Sequence, residues 1–346
     1  MQGNLNKPIF VVGSPRSGTS ILTWCLGQHP NIFPVPESNW MGNFAVNVAM
    51  AYQVGAARGE RSILSAMDIR EDELFATFGQ SINELILSHR KDLERKRQSW
   101  ITPSGLKARW LRGIGAASDP KIRWVDGTPE YSLFICGLRQ LFPDARFVHI
   151  FREVGAVVRS MLNFHRVAGT QLVINEEKAY KYWLRTVRAC LKAELAYGPT
   201  VVHRIRYVDL VEKPESTIRW LLDRLEEPYS EKCLEPLGDR INSSNVPPDF
   251  RGDDPATDPA VIEKATRLSA NTTETPQPDR PSREAADEIE AAFREQVNCS
   301  TSANRTYKKT RQIIKALNYS GVSLYVMTQA ALALADPCIV ASLPLA

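Results

Sequence analysis

Residues 8–20 of the 346-residue chain read PIFVVGSPRSGTS. The apolar, β-branched run that opens this stretch ends at Gly13, a pattern that is typical of a buried strand in a parallel sheet. The residues that follow predict a helix over about 18–28, because a His-Pro pair ends it. The stretch therefore predicts a strand, a Gly- and Ser-rich turn and a helix in direct succession.

Two later stretches resemble the first strand. Residues 146–151 (RFVHIF) and 200–207 (TVVHRIRY) are short, rich in β-branched residues and bounded by turn or charged residues. An amphipathic helix is predicted after each of them. Strands that alternate with helices indicate a parallel sheet. We therefore predict an α/β fold with three layers, a parallel sheet, a phosphate-binding loop after the first strand and a helical insertion.

The chain divides into three parts. Residues 1–246 are predicted to form the α/β domain, with the helical insertion at about 39–121. Residues 247–281 are rich in Pro, Asp, Thr and Asn and are expected to form a linker or loop. Residues 282–346 are expected to be a helical segment without an assigned role. Its apolar end, 321–346, indicates a buried or amphipathic helix, with weak membrane association as the alternative.

Composition narrows the class of protein. Hydrophobic residues make up 43% of the chain and charged residues 24%, which excludes fibrous and disordered proteins. The 43 Lys and Arg against 39 Asp and Glu give a net charge of +4, too small an excess to indicate nucleic acid as a partner. A basic run at 89–97 is expected to be a solvated helix face, with contact to an anionic partner as the alternative.

Cysteine and histidine spacing indicates neither a disulfide framework nor a metal site. The six cysteines include no C-x-x-C pair, and the five histidines show no ligand spacing. The first residues lack a basic segment followed by a long apolar one, so no secretory signal is predicted. We expect a cytoplasmic protein with buried thiols and no bound metal.

Residues 13–20, the phosphate loop, connect the first strand to its helix. Backbone N–H groups and the helix dipole favour an anion at such a turn. The spacing matches G-x-x-x-x-G-K-[ST], except that Thr19 replaces the lysine that reaches the β- and γ-phosphates of ATP. Arg16 can supply a positive charge from inside the loop. A kinase or ATPase is therefore disfavoured, and a plain connecting turn is the structural alternative.

The loop sequence GSPRSGTSIL resembles that of sulfotransferases that use 3′-phosphoadenosine 5′-phosphosulfate (PAPS). The P-R-S-G-T form is similar to that of carbohydrate and tyrosylprotein sulfotransferases, and we expect a bacterial type. The resemblance implies that the 5′-phosphosulfate is bound by Arg16, Ser17, Gly18, Thr19 and Ser20.

A second motif strengthens the resemblance. In the family, an arginine at the end of a later strand and a serine eight residues on hold the 3′-phosphate, and here these positions are Arg152 and Ser160. Independently, Arg152 follows the carboxyl end of a buried strand, where ligands collect in α/β sheets. The alternative is that Arg152 is an ordinary cation at the end of a strand and that Ser160 is a residue on a helix surface.

The resemblance also implies a general base. Glu37 lies 21 residues after Arg16, the distance at which tyrosylprotein-type members carry their catalytic glutamate. A glutamate with an ordinary pKa of about 4.3 is ionised at neutral pH and can take the acceptor's hydroxyl proton. A solvated loop carboxylate is the alternative interpretation, and His165 is an alternative base.

Residues 124–131 (WVDGTPEY) resemble the family's middle segment, except that Gly127 replaces a lysine that assists the leaving group in some members. Either Arg16 takes over that electrostatic work, which makes it a catalytic residue beside Glu37, or this branch organises the step differently. Thr128 and Tyr131 are candidates for ligand contact, or else a turn-capping Thr and a core Tyr.

Two further stretches complete the resemblance, which runs from about residue 8 to 245. Residues 204–211 (RIRYVDLV) resemble the family's R-Y-E-D-L segment and are expected to be structural. Residues 240–244 (RINSS) are either a late nucleotide contact or a loop.

The sequence thus predicts sulfonyl transfer from PAPS to a hydroxyl of a carbohydrate, glycolipid or similar acceptor, without a metal or nucleic acid. Two alternatives stay open. One is an ATP-dependent phosphotransferase with a degenerate loop, and the other is a catalytically inactive nucleotide- or glycan-binding protein of the same fold. The acceptor is expected to be selected by the insertion and by loops.

Overall fold

The structure, a computed structural model, describes residues 7–99, 119–238 and 246–319. Within these ranges five strands form one sheet in the order β2-β3-β1-β4-β5, and all neighbouring pairs run parallel. The strands are β1 Ile9–Val12, β2 Ile32–Pro34, β3 Arg123–Asp126, β4 Arg146–Phe151 and β5 Val202–Arg206.

Helices join the strands and continue beyond the sheet. They are α1 Thr19–Gly27, α2 Met41–Ala56, α3 Ile63–Ala66, α4 Glu71–Ser99, α5 Ile135–Leu141, α6 Val154–Leu162, α7 His165–Ala168, α8 Glu176–Tyr197, α9 Tyr207–Glu212, α10 Pro214–Arg224, α11 Pro259–Glu274 and α12 Arg283–Tyr319. Short 3-10 helices cover Gly59–Arg61, Pro129–Leu133 and Glu231–Gly238.

Both faces of the sheet are covered, so the predicted three-layer α/β fold is confirmed. Side chains of successive strand residues alternate between the faces. On one face Phe10 packs with residues of α2, α5, α8 and α12. On the other face Ile9 and Val11 pack with residues of α1 and α10. All four residues of β1 are completely buried, which explains its continuous apolar run.

The strand order brings the site together at β1 and β4. The chain passes from β1 to β2 and β3 on one side of the sheet, and to β4 and β5 on the other. Val12 pairs with His149, so the carboxyl ends of the two strands lie side by side. Ligands of open α/β sheets bind where the strand order reverses in this way. The phosphate loop after β1 and Arg152 after β4 are therefore neighbours.

Most of the described segment between β2 and β3 is helical, in α2, α3, α4 and a 3-10 helix. The long helix α4 begins with three acidic residues, which suit the positive end of the helix dipole. The basic run falls in its second half, where Asp92 lies 3.6 Å from His89 and 3.2 Å from Arg95. These exposed ion pairs fit the solvated helix face expected from the sequence.

The loop or linker expected at 247–281 contains a helix. Asp258 accepts a hydrogen bond from the backbone of Ala260, and Pro259 occupies the first turn of α11. The buried stripe of this helix includes Ser269 and Thr272 beside Ala265. Because these buried residues are small or polar, a search for large apolar residues at helical spacing does not detect this helix.

Two sequence predictions fall outside the described residues: the possible nucleotide contact at 240–244 and the apolar end at 321–346. Within the described ranges, none of the helices combines the length and the apolar character needed to cross a membrane.

Candidate active site

The phosphate loop has a backbone that requires glycine at two positions. Gly13 has φ 151° and Gly18 has φ 108°. A Cβ atom on Gly13 would lie 2.6 Å from the carbonyl oxygen of Ile150 in β4, and one on Gly18 would lie 2.6 Å from the ring of Tyr207. The loop therefore approaches the neighbouring strand and α9 more closely than any side chain allows.

A buried serine that the sequence analysis did not single out anchors this loop. The backbone N–H of Gly13 donates to Ser132 Oγ at 2.9 Å. The Ser132 hydroxyl in turn lies 3.0 Å from the Gly13 carbonyl and 2.7 Å from the Pro129 carbonyl. Ser132 follows β3 in the 3-10 helix, so this contact ties the loop to a second strand end.

Arg16, Arg152 and Ser160 meet in one cluster. Arg16 Nε donates to Ser160 Oγ at 3.2 Å, and Arg152 Nη1 donates to the Arg16 carbonyl at 3.1 Å. Arg152 stacks over the Tyr207 ring at 4.3 Å, and Arg16 lies 4.9 Å from the Phe164 ring. The sequence analysis expects Arg16 at the 5′-phosphosulfate of the nucleotide and Arg152 and Ser160 at its 3′-phosphate. The structure brings these residues into direct contact.

The two guanidinium groups of this cluster share a half-buried environment. Burial lowers the pKa of Arg16, and the positive charge of Arg152 lowers it further. Burial likewise lowers the pKa of Arg152. Two cations held close together out of water favour an anion between or beside them. The cluster is therefore suited to bind phosphate groups.

Glu37 lies at the start of α1, where Ser20 Oγ donates to its Oε1 at 3.1 Å. Glu37 is exposed to solvent. Burial on the protein side raises the pKa of Glu37 to about 7, and the carboxylates of Glu130 and Asp126 add to the increase. The Ser20 hydrogen bond and the charge of Arg16 act in the opposite direction. A carboxylate with a pKa near 7 is matched to proton transfer at neutral pH.

The end of β3 holds the segment that carries Glu37. Thr128 donates to Asp126 Oδ1 from both its backbone N–H, at 2.9 Å, and its hydroxyl, at 2.6 Å. Ser38 donates from its N–H to Thr128 Oγ1 at 3.1 Å and from its hydroxyl to Asp126 Oδ2 at 3.2 Å. The Tyr131 hydroxyl lies 3.3 Å from Ser38 Oγ. This network fixes the backbone next to Glu37.

Thr128 and Tyr131 therefore have structural roles. The sequence analysis gave these roles, a turn-capping Thr and a core Tyr, as the alternative to ligand contact. Tyr131 is completely buried, and Thr128 closes the turn after β3. Burial raises the pKa of Asp126 to about 6. Sequence reasoning missed Asp126 and Ser38, although an Asp two residues before a Thr is a recognisable turn pattern.

Gly127 lies where helix α1 passes close to β3. A Cβ atom there would be 2.1 Å from Thr23 Oγ1 and 3.5 Å from the Thr19 carbonyl oxygen. Thr23 Oγ1 is itself bonded to that carbonyl at 2.9 Å. A lysine at this position would require Thr23 to move. Arg16 is the loop's own cation, and the proposal that it replaces the missing lysine remains consistent with this packing.

The alternative base, His165, begins α7 and is exposed. Its Nδ1 lies 3.2 Å from the carbonyl oxygen of Leu162. The residue before it, Phe164, packs against Arg16. Glu37, by contrast, bonds directly to the first turn of α1, which makes it the stronger candidate.

Across the described ranges, no group of three or more His, Cys, Asp or Glu side chains is arranged to hold a metal ion. The residues that do gather are a glycine-bounded loop, two arginines, a serine and a carboxylate at the start of one helix. They define an α/β protein whose candidate site is suited to phosphate groups and lacks the lysine of ATP-binding loops.

The particular family follows from comparison with known proteins. Residues 8–231 match the model of the Sulfotransferase family, which is more than half of the chain. The chain belongs to the sulfotransferase family, and the resemblance found in its motifs is confirmed. The matched range includes the phosphate loop, Glu37, Arg152 and Ser160.

Curated relatives are distant. A putative protein-tyrosine sulfotransferase of Caenorhabditis briggsae is 21% identical over 234 residues, covering 68% of this chain and 70% of that protein. An Aquifex aeolicus protein is 25% identical over 232 residues, and the match spans 66% of this chain but only 26% of that protein. The omega-hydroxy-beta-dihydromenaquinone-9 sulfotransferase of Mycobacterium tuberculosis is 29% identical over 104 residues, 28% of this chain and 27% of that protein.

Sulfotransferases are among the solved structures with similarity to this chain. The sulfotransferase domain of the Synechococcus PCC 7002 olefin synthase has a TM-score of 0.45 and 20% identity, covering 79% of this chain and 96% of that one. Sulfotransferase STF9 of Mycobacterium avium has a TM-score of 0.43 and 18% identity, covering 80% of this chain and 79% of that one.

Proposed function

We propose that this sulfotransferase-family chain moves a sulfonyl group from PAPS to an acceptor hydroxyl and needs no metal. The observation that carries the proposal is the gathering of Arg16, Arg152, Ser160 and Glu37 at the start of α1. A site with cations for phosphate and a carboxylate with a pKa near 7 has the groups that such a transfer requires.

The residues of the loop fit the donor. The backbone N–H groups at the start of α1, together with Arg16, are proposed to bind the 5′-phosphosulfate. Ser17 supports this fit, because its hydroxyl is buried and has no hydrogen-bond partner among the described residues. A phosphate or sulfonate oxygen would give that hydroxyl an acceptor. Arg152 and Ser160 are proposed to hold the 3′-phosphate.

The proposed chemistry is in-line transfer. Glu37 accepts the proton of the acceptor hydroxyl while the hydroxyl oxygen bonds to sulfur. The bond between sulfur and the 5′-phosphate oxygen breaks, and its electron pair leaves with 3′,5′-bisphosphate. Arg16 and the loop N–H groups stabilise the negative charge that develops on the departing phosphate. Proton removal during bond formation avoids a free alkoxide.

The proposal specifies the acceptor only as a compound that carries a hydroxyl group. The sequence analysis expects a carbohydrate, a glycolipid or a similar acceptor. The names of two relatives refer to protein tyrosine and to a dihydromenaquinone derivative. The proposal therefore rests on the donor site rather than on one acceptor.

Calorimetry with the bisphosphate product tests the proposal directly. We expect 3′-phosphoadenosine 5′-phosphate to bind about 100-fold more tightly than adenosine 5′-monophosphate, because two charge-assisted contacts are added at the 3′-phosphate. The same measurement in EDTA should give the same affinity. Equal affinities for the two nucleotides would refute the 3′-phosphate assignment, and a strict requirement for magnesium would favour the phosphotransferase alternative.

A further inference from the structure

A cavity of about 460 Å³ lies beside the segment that carries Glu37. Pro36 and Ser38, the two residues that flank Glu37, both line it. Its walls come from the end of β2, the segment after it and the second half of α4. The apolar side chains of these walls are Phe33, Val35, Trp40, Met41, Leu85 and Ile86.

The apolar surface continues outward from the cavity. Trp40 is 42% exposed and Phe78 is 40% exposed, and each packs edge-to-face against Phe44 at a ring distance of 5.6 Å. Leu85, 56% exposed, lies two turns beyond Phe78 on the same face of α4. Large apolar side chains that stay exposed in a connected patch mark a binding surface.

The charged side chains at the rim of the cavity are engaged with protein groups. His89 Nδ1 lies 3.6 Å from Asp92 Oδ2. Arg90 Nη1 donates to the Lys121 carbonyl at 3.0 Å and also to the Pro120 carbonyl. An ionic acceptor would have to compete for these charged side chains, because they already interact with other protein groups. A free sugar would find few hydrogen-bond partners for its hydroxyls along the apolar walls. A neutral, apolar body suits the cavity better.

The position of the cavity agrees with in-line transfer. Ser20 donates a hydrogen bond to Glu37 from the first turn of α1, the side on which the donor is proposed to bind. The cavity adjoins the same segment through Pro36 and Ser38. An acceptor seated there would lie next to the segment that carries Glu37, and no residue of the phosphate loop lines the cavity. Attacking and leaving oxygens lie roughly in line in such transfers, so separate approaches for donor and acceptor are required.

We infer that the acceptor is a neutral alcohol whose hydroxyl is carried by an apolar body, with that body seated in this cavity. This inference rests on the proposed transfer from PAPS and narrows its acceptor class. A lipid alcohol or an alcohol on an aromatic or aliphatic frame fits, and a free carbohydrate does not.

The test uses the full chain, labelled PAPS and the n-alkan-1-ols from ethanol to 1-decanol. Burial of one methylene group is worth about 0.8 kcal/mol, so kcat/KM should rise about fourfold with each added carbon until the cavity is filled. Glucose serves as the sugar comparison. A flat series, or faster transfer to glucose than to 1-octanol, would overturn the inference.

A matched pair of variants tests the cavity itself. Leu85→Asn should raise KM for 1-octanol about fivefold, because an apolar wall becomes polar. Leu195→Asn, on α8, alters another exposed leucine outside the cavity and should leave KM unchanged. Unchanged calorimetric binding of 3′-phosphoadenosine 5′-phosphate in both variants shows that they fold.

Direct binding of 1-octanol separates this inference from the donor proposal. Saturation-transfer NMR with the bisphosphate present should detect 1-octanol on the unaltered chain and a weaker signal on Leu85→Asn. If the bisphosphate binds but 1-octanol does not, the acceptor inference is wrong and the donor site stands. If the bisphosphate does not bind, the proposed function is wrong, whatever the alcohol does.

Discussion

Ser20 Oγ donates a hydrogen bond to Glu37 Oε1 across 3.1 Å, which joins the first turn of α1 to the proposed base. The same turn belongs to the phosphate loop. The group that would remove the acceptor's proton is therefore positioned by the element that would hold the donor. Preorganisation of this kind places the base before the acceptor arrives.

Replacement of the base should separate chemistry from binding. Glu37→Gln keeps the size of the side chain but removes its capacity to accept a proton, so kcat should fall about 10²- to 10⁴-fold. The calorimetric affinity for 3′-phosphoadenosine 5′-phosphate should change little. Glu263→Gln, on the exposed surface of α11, is the matched control and should retain full activity. Full turnover by Glu37→Gln would remove Glu37 from the mechanism.

The pH profile should report the pKa of Glu37. A base must be deprotonated to act, and burial raises the pKa of this group to about 7. We expect kcat/KM to increase with pH and to reach half its maximum near pH 7. Ser20→Ala removes a hydrogen bond that favours the charged carboxylate, so its midpoint should shift to higher pH. A profile that is flat from pH 5 to 9 would contradict the assignment.

The 3′-phosphate residues should discriminate between two nucleotides. Arg152→Ala should weaken binding of 3′-phosphoadenosine 5′-phosphate about 10- to 100-fold, because it removes a charge-assisted contact. Binding of adenosine 5′-phosphosulfate, which lacks the 3′-phosphate, should be much less affected. Arg219→Ala, an exposed arginine paired with Glu215 on α10, is the control. An equal loss for both nucleotides would place Arg152 elsewhere in the site.

The close approach of α1 to Gly127 should appear in stability measurements. Gly127→Ala places a Cβ atom 2.1 Å from Thr23 Oγ1, and overpacking of this kind costs about 1 to 3 kcal/mol of unfolding free energy. Thr23→Ala removes the opposing hydroxyl. In a double-mutant cycle, the penalty of Gly127→Ala should therefore be smaller on the Thr23→Ala background. If the effects of the two substitutions on the unfolding free energy are additive, the contact between the new Cβ atom and Thr23 carries no penalty.

The positions of most residues in the proposed donor site could be predicted from the sequence, because these residues follow strands with strong patterns. The sequence placed the loop after β1 and Arg152 after β4. Two strands were missed. β2 has only three residues and ends in proline, while β3, Arg123–Asp126, begins and ends with a charged residue.

Arg123 and the neighbouring Lys121 can be buried because residues far away in the sequence form ion pairs or hydrogen bonds with them. Arg123 pairs with Glu227 at 3.0 Å, and Lys121, just before β3, donates from Nζ to the carbonyls of Gly27, His29 and Ile32. Both side chains are almost completely buried. A single sequence gives no sign of such partners, so a local pattern of charges suggests an exposed segment instead.

The hydrogen bonds of Ser38 to Asp126 and Thr128 have a consequence for how the proposed transferase could be re-engineered. The backbone next to Glu37 is held from the β3 side, whereas another wall of the cavity belongs to α4. If the cavity holds the acceptor as inferred, substitutions at Leu85 and Ile86 on α4 should alter acceptor selectivity and leave the hydrogen bonds next to Glu37 in place. Substrate scope would then be adjustable separately from the proposed proton transfer.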